Sequence, residues 1–524
     1  MTKSLLFTNC HFPTMFQLEG DSLLLESGSI RFVGTLNEAR KKAPAKTEEI
    51  DLAGRTVMPG FCDFHLHLAN TAEQLDSVDC ETNSLDECLR RVAAKAKITP
   101  SGEWIIGYGW NQNAWQPAEY GTATQLDNIS RDHPVLLHAK SLHAAWVNTL
   151  GLRIAGIDHQ TPDPQGGVIL RNSKGDPTGI LLENAAFAIN NFLPEPTVDQ
   201  SARKILRAQT YLHSLGITAV HDFDRFECAE ALLLLTERDQ LRLRVTKNLP
   251  SEQVRYVLEE NWRGRLNKPP FLKPGWLKAF ADGALGPQSA AMLEPYEGSQ
   301  NTGMLLLEAE EIVGLGEKAA EAGWPLTVHA IGDRAVREVL DGYTMLRASE
   351  QKHGRHSLPH RIEHVQIIKT DDLRRMKALD VIASVQPIHA PSDMFTAVNH
   401  WGKRTVGAYA YQSMLSSGIT TRFGSDAPVE SPNPFLGIHA AVTRQRLAGQ
   451  PIGGWHPEQK VPLKAAIDAY AQPILSKTRL NLLTEGMPAD LVVLENDLFE
   501  LEPSTLADVK PVMTVVAGEI VFSR

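Results

Sequence analysis

The stretch Val57-Met-Pro-Gly-Phe-Cys-Asp-Phe-His-Leu-His67 reads as a short apolar strand ending in two histidines one residue apart. Seven more stretches repeat the unit, an apolar strand running into a loop that carries polar residues: Ile217–Asp222, Arg242–Asn248, Leu277–Asp282, Leu326–Ala330, Arg361–Val365, Val381–Gln386 and Thr420–Gly424. Helical periodicity predicts helices over Ala202–Leu215, Glu308–Ala322, Asp333–Ala348 and Asp371–Leu379. Strands apolar on both faces and alternating with helices belong to a parallel α/β sheet, and eight such strands close a barrel. The predicted fold class is therefore α/β, a (β/α)8 TIM-like barrel.

Outward from that core, the chain's ends look alike. Ser4–Phe7, Ser22–Glu26 and Ser29–Val33 are β-prone runs, as are Asp490–Leu494 and Val512–Phe522. Two or three strands cannot bury both faces alone, so one β-sandwich built from both termini is expected, residues 1–57 plus 477–524. The barrel is expected over 58–476, and the gap of about 150 residues between its first two strands is too long for a loop. Residues 69–200 are accordingly predicted to be an inserted cap subdomain.

The 524 residues, 43% hydrophobic and 22% charged, are ample for a buried core. A formal net charge of −10 argues against nucleic acid or an anionic membrane as the main partner, since either calls for clustered positive charge. No apolar run has the length of a membrane helix, and the first ten residues do not read as a signal peptide. The five cysteines include no C-x-x-C pair, which supports neither a disulfide framework nor a zinc–thiolate site. A cytoplasmic enzyme is the expectation.

Side chains two apart on a strand point the same way, so His65 and His67 face one side together. At the C-terminal end of a barrel strand that side is the mouth, where two imidazoles can grip one metal. Read alone, the plainer reading is two polar histidines at a strand end. Other predicted strands end in metal-competent residues too: His329 in Thr-Val-His-Ala-Ile-Gly-Asp-Arg334, His364 in His360-Arg-Ile-Glu-His-Val, and Asp426 in Gly424-Ser-Asp-Ala-Pro-Val-Glu430. Imidazoles with a carboxylate suit zinc or a similar divalent ion. Lys278, in Leu277-Lys-Ala-Phe-Ala-Asp-Gly283, has no lone pair while protonated, and residue chemistry alone favours a plain lysine paired with a carboxylate such as Asp282.

In this order, Pro-Gly-Phe-x-Asp-x-His-x-His, the lysine strand followed by Ala-Asp-Gly, Val-His-Ala-Ile-Gly-Asp-Arg, His-Arg-Ile-Glu-His, Gly-Ser-Asp-Ala-Pro-Val-Glu and Gly486-Met-Pro-Ala-Asp-Leu-Val-Val-Leu494 resemble the amidohydrolase superfamily, nearest its N-substituted formamide deformylase-like branch. In the inserted region, Gly109-Trp110-Asn111, Leu126-Asp127 and His143-Ala-Ala-Trp146-Val-Asn148 resemble that branch's cap. The resemblance implies a site of one or two Zn2+ or other divalent ions. His65 and His67 would hold the more buried one, His329 and His364 the more exposed one. Lys278 would bridge them as a carboxylated lysine, which reverses the reading from residue chemistry. Asp426 would ligate the buried ion and shuttle the proton for a metal-activated hydroxide that attacks an amide or N-formyl or N-acyl amine. An ester, lactone or carbamate substrate, deamination, and a non-catalytic scaffold are the alternatives. The resemblance further implies a homodimer and a small-molecule partner.

Candidate substrate-binding residues are His143, Trp110, Gln386 and His389, the first two being equally good packing residues of the insertion. His221 is expected to serve structure or to support a ligand, Asp333-Arg334 to cap a helix or pair locally, and Glu183 either to reach the site or to close a buried hydrogen bond. The chain departs from the branch at Gly283-Ala-Leu-Gly-Pro287-Gln288-Ser-Ala290, where a usual arginine is lost, at Leu142-His143, and at Tyr470-Ala-Gln-Pro473-Ile. None of these touches an implied ligand, so the expected consequence is a changed substrate.

Overall fold

The computed structural model describes residues 4–112, 115–139, 144–354, 358–471 and 483–524, in two compact units, Met1–Thr71 with Ser201–Arg524 and Ala72–Gln200.

In the larger unit eight strands lie side by side in the order of the chain: Phe61–Leu66, Ile217–Asp222, Arg244–Pro250, Leu272–Phe280, Leu326–Ala330, Arg361–His364, Ile382–Val385 and Thr421–Phe423. We number these barrel strands 1 to 8. Every neighbouring pair is parallel, as the both-sided burial of their sequences requires. The edges of strands 1 and 8 meet just beyond the strands, where Asp426 N–H donates to His65 O at 2.7 Å and His67 N–H to Ala427 O at 2.8 Å. The sheet is a nearly closed α/β barrel, and its seam runs between two of the predicted ligand-bearing segments.

The single strand expected over Val57–His67 is two strands in two sheets. Thr56–Pro59 pairs antiparallel with Leu491–Leu494, whereas Phe61–Leu66 opens the barrel. The chain changes sheets at Gly60, where a Cβ would stand 2.2 Å from Cγ2 of Thr218 on strand 2. An unbroken apolar run hides such a break, because both segments are buried.

Two four-stranded sheets take up the chain ends. One holds Ser4–Thr8, Ser22–Glu26, Ser29–Gly34 and Glu48–Asp51, the other Thr56–Pro59, Leu491–Leu494, Pro511–Val516 and Glu519–Ser523. Strand alternation sends Leu5 and Phe7 into a core shared with Val57, Leu491, Val493 and Val515, while Leu6 packs with Leu24 and Ala39 under the helix Leu36–Lys42.

The predicted helices appear as Val198–Ser214, Ala309–Glu321, Asp333–Lys352 and Thr370–Ala378. Sequence periodicity misses Phe226–Glu237 and Pro434–Thr443, which are apolar nearly all round and so carry no 3.6-residue stripe. It misses His389–Trp401 as well.

The second unit is built on a six-stranded mixed sheet from Val78–Asp79 to Pro177–Glu183. Its core gathers Trp110, Trp115 and Trp146 with Leu126, Val135 and Leu137. Trp110 donates its indole N–H to Leu137 O at 2.8 Å, so the ring predicted to line a pocket is a satisfied core residue of this unit. Glu183 is exposed. His143 and Pro473 lie outside the described residues. Among the described residues no helix is long and apolar enough to cross a membrane.

Candidate metal centre

Strand 1 delivers both histidines to the end of the barrel. His65 is buried, and its Nδ1 faces Glu363 Oε2 of strand 6 at 2.6 Å. His67 Nδ1 faces Asp224 Oδ1 at 3.3 Å. With a carboxylate facing each Nδ1, Nε2 is the nitrogen that each ring can offer a metal. The two Nε2 atoms stand 3.4 and 3.5 Å from one oxygen, Asp426 Oδ1. Ligand atoms of His65, His67 and Asp426 all lie within 4.8 Å of one another. A ring nitrogen backed by a carboxylate is how a metal-binding imidazole has its tautomer and orientation fixed. The donor set and its backing therefore fit a divalent ion such as zinc.

The backbone that presents these groups is itself constrained. Asp63 Oδ1 accepts the N–H groups of His65 (3.0 Å) and Ser425 (3.1 Å), and Oδ2 accepts the Ser425 hydroxyl at 2.5 Å, stitching strand 1 to the end of strand 8. Burial pushes the Asp63 carboxyl up to about 6 against these hydrogen bonds. At Gly424 a Cβ would come 2.5 Å from His65 N, so only glycine lets the seam close. Asp426 and His364 both adopt left-handed backbone, φ 62° and 73°, a conformation uncommon outside glycine and found where the surroundings over-determine it. Behind His67, Asp222 accepts Leu68 N–H at 2.8 Å and Asp224 accepts Ala69 N–H at 2.5 Å, holding the start of the helix Leu68–Asp76.

Glu363 is the hub behind the site. It accepts from Thr327 Oγ1 and stands 2.7 Å from Arg361 Nη2. Burial opposes its charge, yet Arg361 and His65 hold the carboxyl well below the usual carboxylate range. Arg361 also donates to Phe64 O (3.0 Å), Ser384 Oγ (2.7 Å) and His221 Nδ1 (3.0 Å), which places His221 in this supporting network. The sequence reading passed over Glu363 and Asp224. Strand parity held a signal for the first: Arg361 and Glu363 share a face, and an ion pair on a fully buried strand has work to do there.

His329 and His364 come together on strands 5 and 6, with ring centroids 4.5 Å apart. His364 Nδ1 donates to Gln386 Oε1 at 2.9 Å, leaving Nε2 open. His329 Nε2 donates to Gly283 O at 3.0 Å, leaving Nδ1 open. Burial, reinforced by the Lys278 charge, lowers His329 to about 3. Burial first, and then the adjoining His329 ring, hold His364 well below the imidazole range. Both rings are thus neutral donors at neutral pH. For His67, burial pulls downward, but Asp224 and Asp426 outweigh it and raise the ring to about 9. Burial disfavours the Asp426 charge, yet His65 and His67 keep it well below its usual range.

Lys278 lies at 4.9 Å from the ring centroids of both Phe223 and Phe280, and burial lowers its ammonium to about 8. Asp282, the partner expected from residue chemistry, is spent elsewhere: it accepts Ala291, Ile331 and Gly332 N–H at 2.9, 3.0 and 2.8 Å. Asp333 accepts Leu293 N–H at 2.8 Å, a partner 40 residues away in the chain, in place of the helix cap or local pairing expected of it. Of the predicted substrate residues, Gln386 is the hydrogen-bond partner of His364, and His389 stands with its ring parallel to His364 at 6.5 Å. A further group, Asp222, Asp224 and Cys228, has its ligand atoms within 4.8 Å, but the buried Lys247 ammonium lies 2.6 Å from Asp222 Oδ2 and already neutralises it.

Comparison with known proteins agrees with this architecture. A family description, amidohydrolase family, matches residues 48–522. A Bacillus subtilis protein carrying the name amidohydrolase YtcJ is 31% identical over 520 residues, 97% of each chain. The N-substituted formamide deformylase of Arthrobacter pascens is 28% identical over 96% of this chain and 95% of its own. The crystal structure of a metal-dependent hydrolase from Pyrococcus furiosus, itself uncharacterized, superposes with a TM-score of 0.75 at 28% identity, covering 94% of this chain and 99% of that one. With a matched region of this extent, and a hydrolase structure that fits over almost its whole length, the chain belongs to the amidohydrolase family.

Proposed function

We propose that the chain hydrolyses a carbon–nitrogen bond in a small amide, an N-formyl or N-acyl amine, at a centre of one or two divalent ions, with zinc the first expectation. The observation that carries this reading is the approach of His65 Nε2 and His67 Nε2 to the same Asp426 oxygen, at 3.4 and 3.5 Å. The relative named N-substituted formamide deformylase puts N-formyl amines first among substrates.

A bound divalent ion supplies Lewis acidity toward the substrate carbonyl and a water acidic enough to lose its proton near neutral pH. His65, His67 and Asp426 hold the inner position, and His329 and His364 the outer one. Lys278, lowered to about 8 by burial, keeps a share of neutral amine near neutral pH. That amine could add to carbon dioxide with loss of one proton to solvent, and the carbamate so formed would supply an anionic oxygen ligand to the centre. Asp426, ionised among His65 and His67, takes the proton of the attacking water and returns it to the departing amine nitrogen. With an ion bound, Glu363 and Asp224 would hold the proton of each inner ring on Nδ1 and leave Nε2 to the ion.

The test is a hydrolase panel on metal-quantified protein, with N-formyl and N-acyl amines beside matched esters, lactones and carbamates and a ring-deamination substrate. Turnover of amides, lost to a chelator and restored by zinc, supports the reading. Turnover of esters or lactones alone overturns the bond assignment, and a metal-free, inactive protein points to a scaffold.

A further inference from the structure

His389 opens the helix His389–Trp401 just after barrel strand 7. It is 6% exposed, and its Nε2 has no hydrogen-bond partner. Leaving such an atom unpaired in the interior is costly, so an orphaned ring nitrogen beside the proposed metal centre points to a partner of another kind. The ring lies parallel to His364, 9° between planes. Each of the two rings rests on a glutamine through Nδ1: His364 on Gln386 at 2.9 Å, His389 on Gln366 at 3.3 Å. Ligand atoms of His364, His389 and Asp426 all lie within 4.8 Å of one another, the same criterion that His65, His67 and Asp426 meet.

We propose that His389 is a protein ligand of the outer divalent ion, joining His364 and Asp426, so that two histidine pairs share one aspartate. This rests on the metal-dependent reading above and reassigns a residue expected from the sequence to touch substrate. It requires the His389 proton on Nδ1 and the Gln366 carbonyl facing it. Gln366 Nε2 now faces Nδ1, and Gln366 Oε1 is itself without a partner. Exchanging the two amide ends turns Gln366 into the acceptor that Gln386 already is for His364, with no other atom displaced. The outer ion then draws on three rings, His329, His364 and His389, each with one nitrogen tied to an oxygen acceptor once the Gln366 amide is exchanged.

The test is cobalt titration of chelator-stripped full-length protein, read as metal bound per chain after desalting and as visible cobalt absorption. Wild type is expected to take up two equivalents. His389→Gln is expected to bind the first with wild-type affinity, which also certifies its fold, and the second about 10–100-fold more weakly. Gln366→Glu, whose side chain accepts from Nδ1–H, is expected to keep the second equivalent. Unchanged second-site affinity and an unchanged spectrum in His389→Gln overturn the proposal. So does loss of the second equivalent in Gln366→Glu, or a wild type that saturates at one ion. Only a wild type that binds none would undo the metal-dependent reading as well.

Discussion

Glu363 Oε2 lies 2.6 Å from Nδ1 of His65, linking strand 6 to strand 1 directly behind the proposed inner metal position. The contact orients the ring and fixes its tautomer, while Arg361 at 2.7 Å balances the carboxylate's charge. Glu363→Gln should keep the fold and weaken the first metal equivalent about 10–100-fold. Glu363→Leu should in addition destabilise by about 3–5 kcal/mol, because it leaves the buried Arg361 without its counter-charge. Metal titration and thermal unfolding of the two variants separate these effects, and wild-type metal affinity in Glu363→Gln would contradict the role.

Asp426→Asn removes the proton acceptor while keeping shape. Turnover measured at saturating zinc should fall about 10²–10⁴-fold, with secondary structure unchanged. Activity near that of wild type would remove Asp426 from the chemistry.

Asp63 touches no expected ligand atom, yet it accepts from both Ser425 and the backbone of His65. Asp63→Ala strands these buried donors, at about 1–3 kcal/mol for each one left unpaired. A lower unfolding midpoint accompanied by weaker metal binding is expected. A lower midpoint with intact metal affinity would mean that the seam does not position the site.

His213, buried at the end of the helix Val198–Ser214, is lowered by desolvation to about 4. The unfolded chain therefore binds more protons than the folded chain between the ordinary histidine pKa and 4. The stabilisation is complete above pH ~6.5 and is lost as pH falls toward 4. Between pH ~7 and ~5 this one residue should cost about 2 kcal/mol. His213→Gln should unfold with a correspondingly flatter pH dependence over that range, and an unchanged slope would contradict the assignment.

Lys278→Gln cannot form a carbamate. Wild-type apoprotein should recover activity with zinc more fully in added bicarbonate than in carbon dioxide-depleted buffer, and Lys278→Gln should not respond to bicarbonate. Equal recovery of wild type in both buffers would leave Lys278 as an uncarboxylated residue over Phe223 and Phe280.

The barrel was legible because its strands are apolar runs in register with helical stripes, and His65 and His67 because strand parity puts i and i+2 on one face. Gly60 was not legible: the sheet change it permits depends on Thr218, about 160 residues away. Glu363, Asp224 and Asp63 read from sequence as isolated acids in apolar strands or beside them. Their work is defined by partners on other strands, which single-strand parity does not name. Gln386 illustrates the converse: its position on the rim was legible, but its hydrogen bond to His364 depends on strands 6 and 7 being neighbours. Trp110 was an even choice between pocket and core, and Leu137 O, its hydrogen-bond acceptor on a neighbouring strand, decides for core.

The central claim is that His65, His67 and Asp426 are a divalent-metal site on which hydrolysis depends. Elemental analysis of purified protein, assayed for amide turnover in the same sample before and after chelation, tests it most directly. One to two equivalents of zinc or a similar ion per chain are expected, with turnover falling in step as the metal is withdrawn. Full amide turnover by metal-free protein would contradict it.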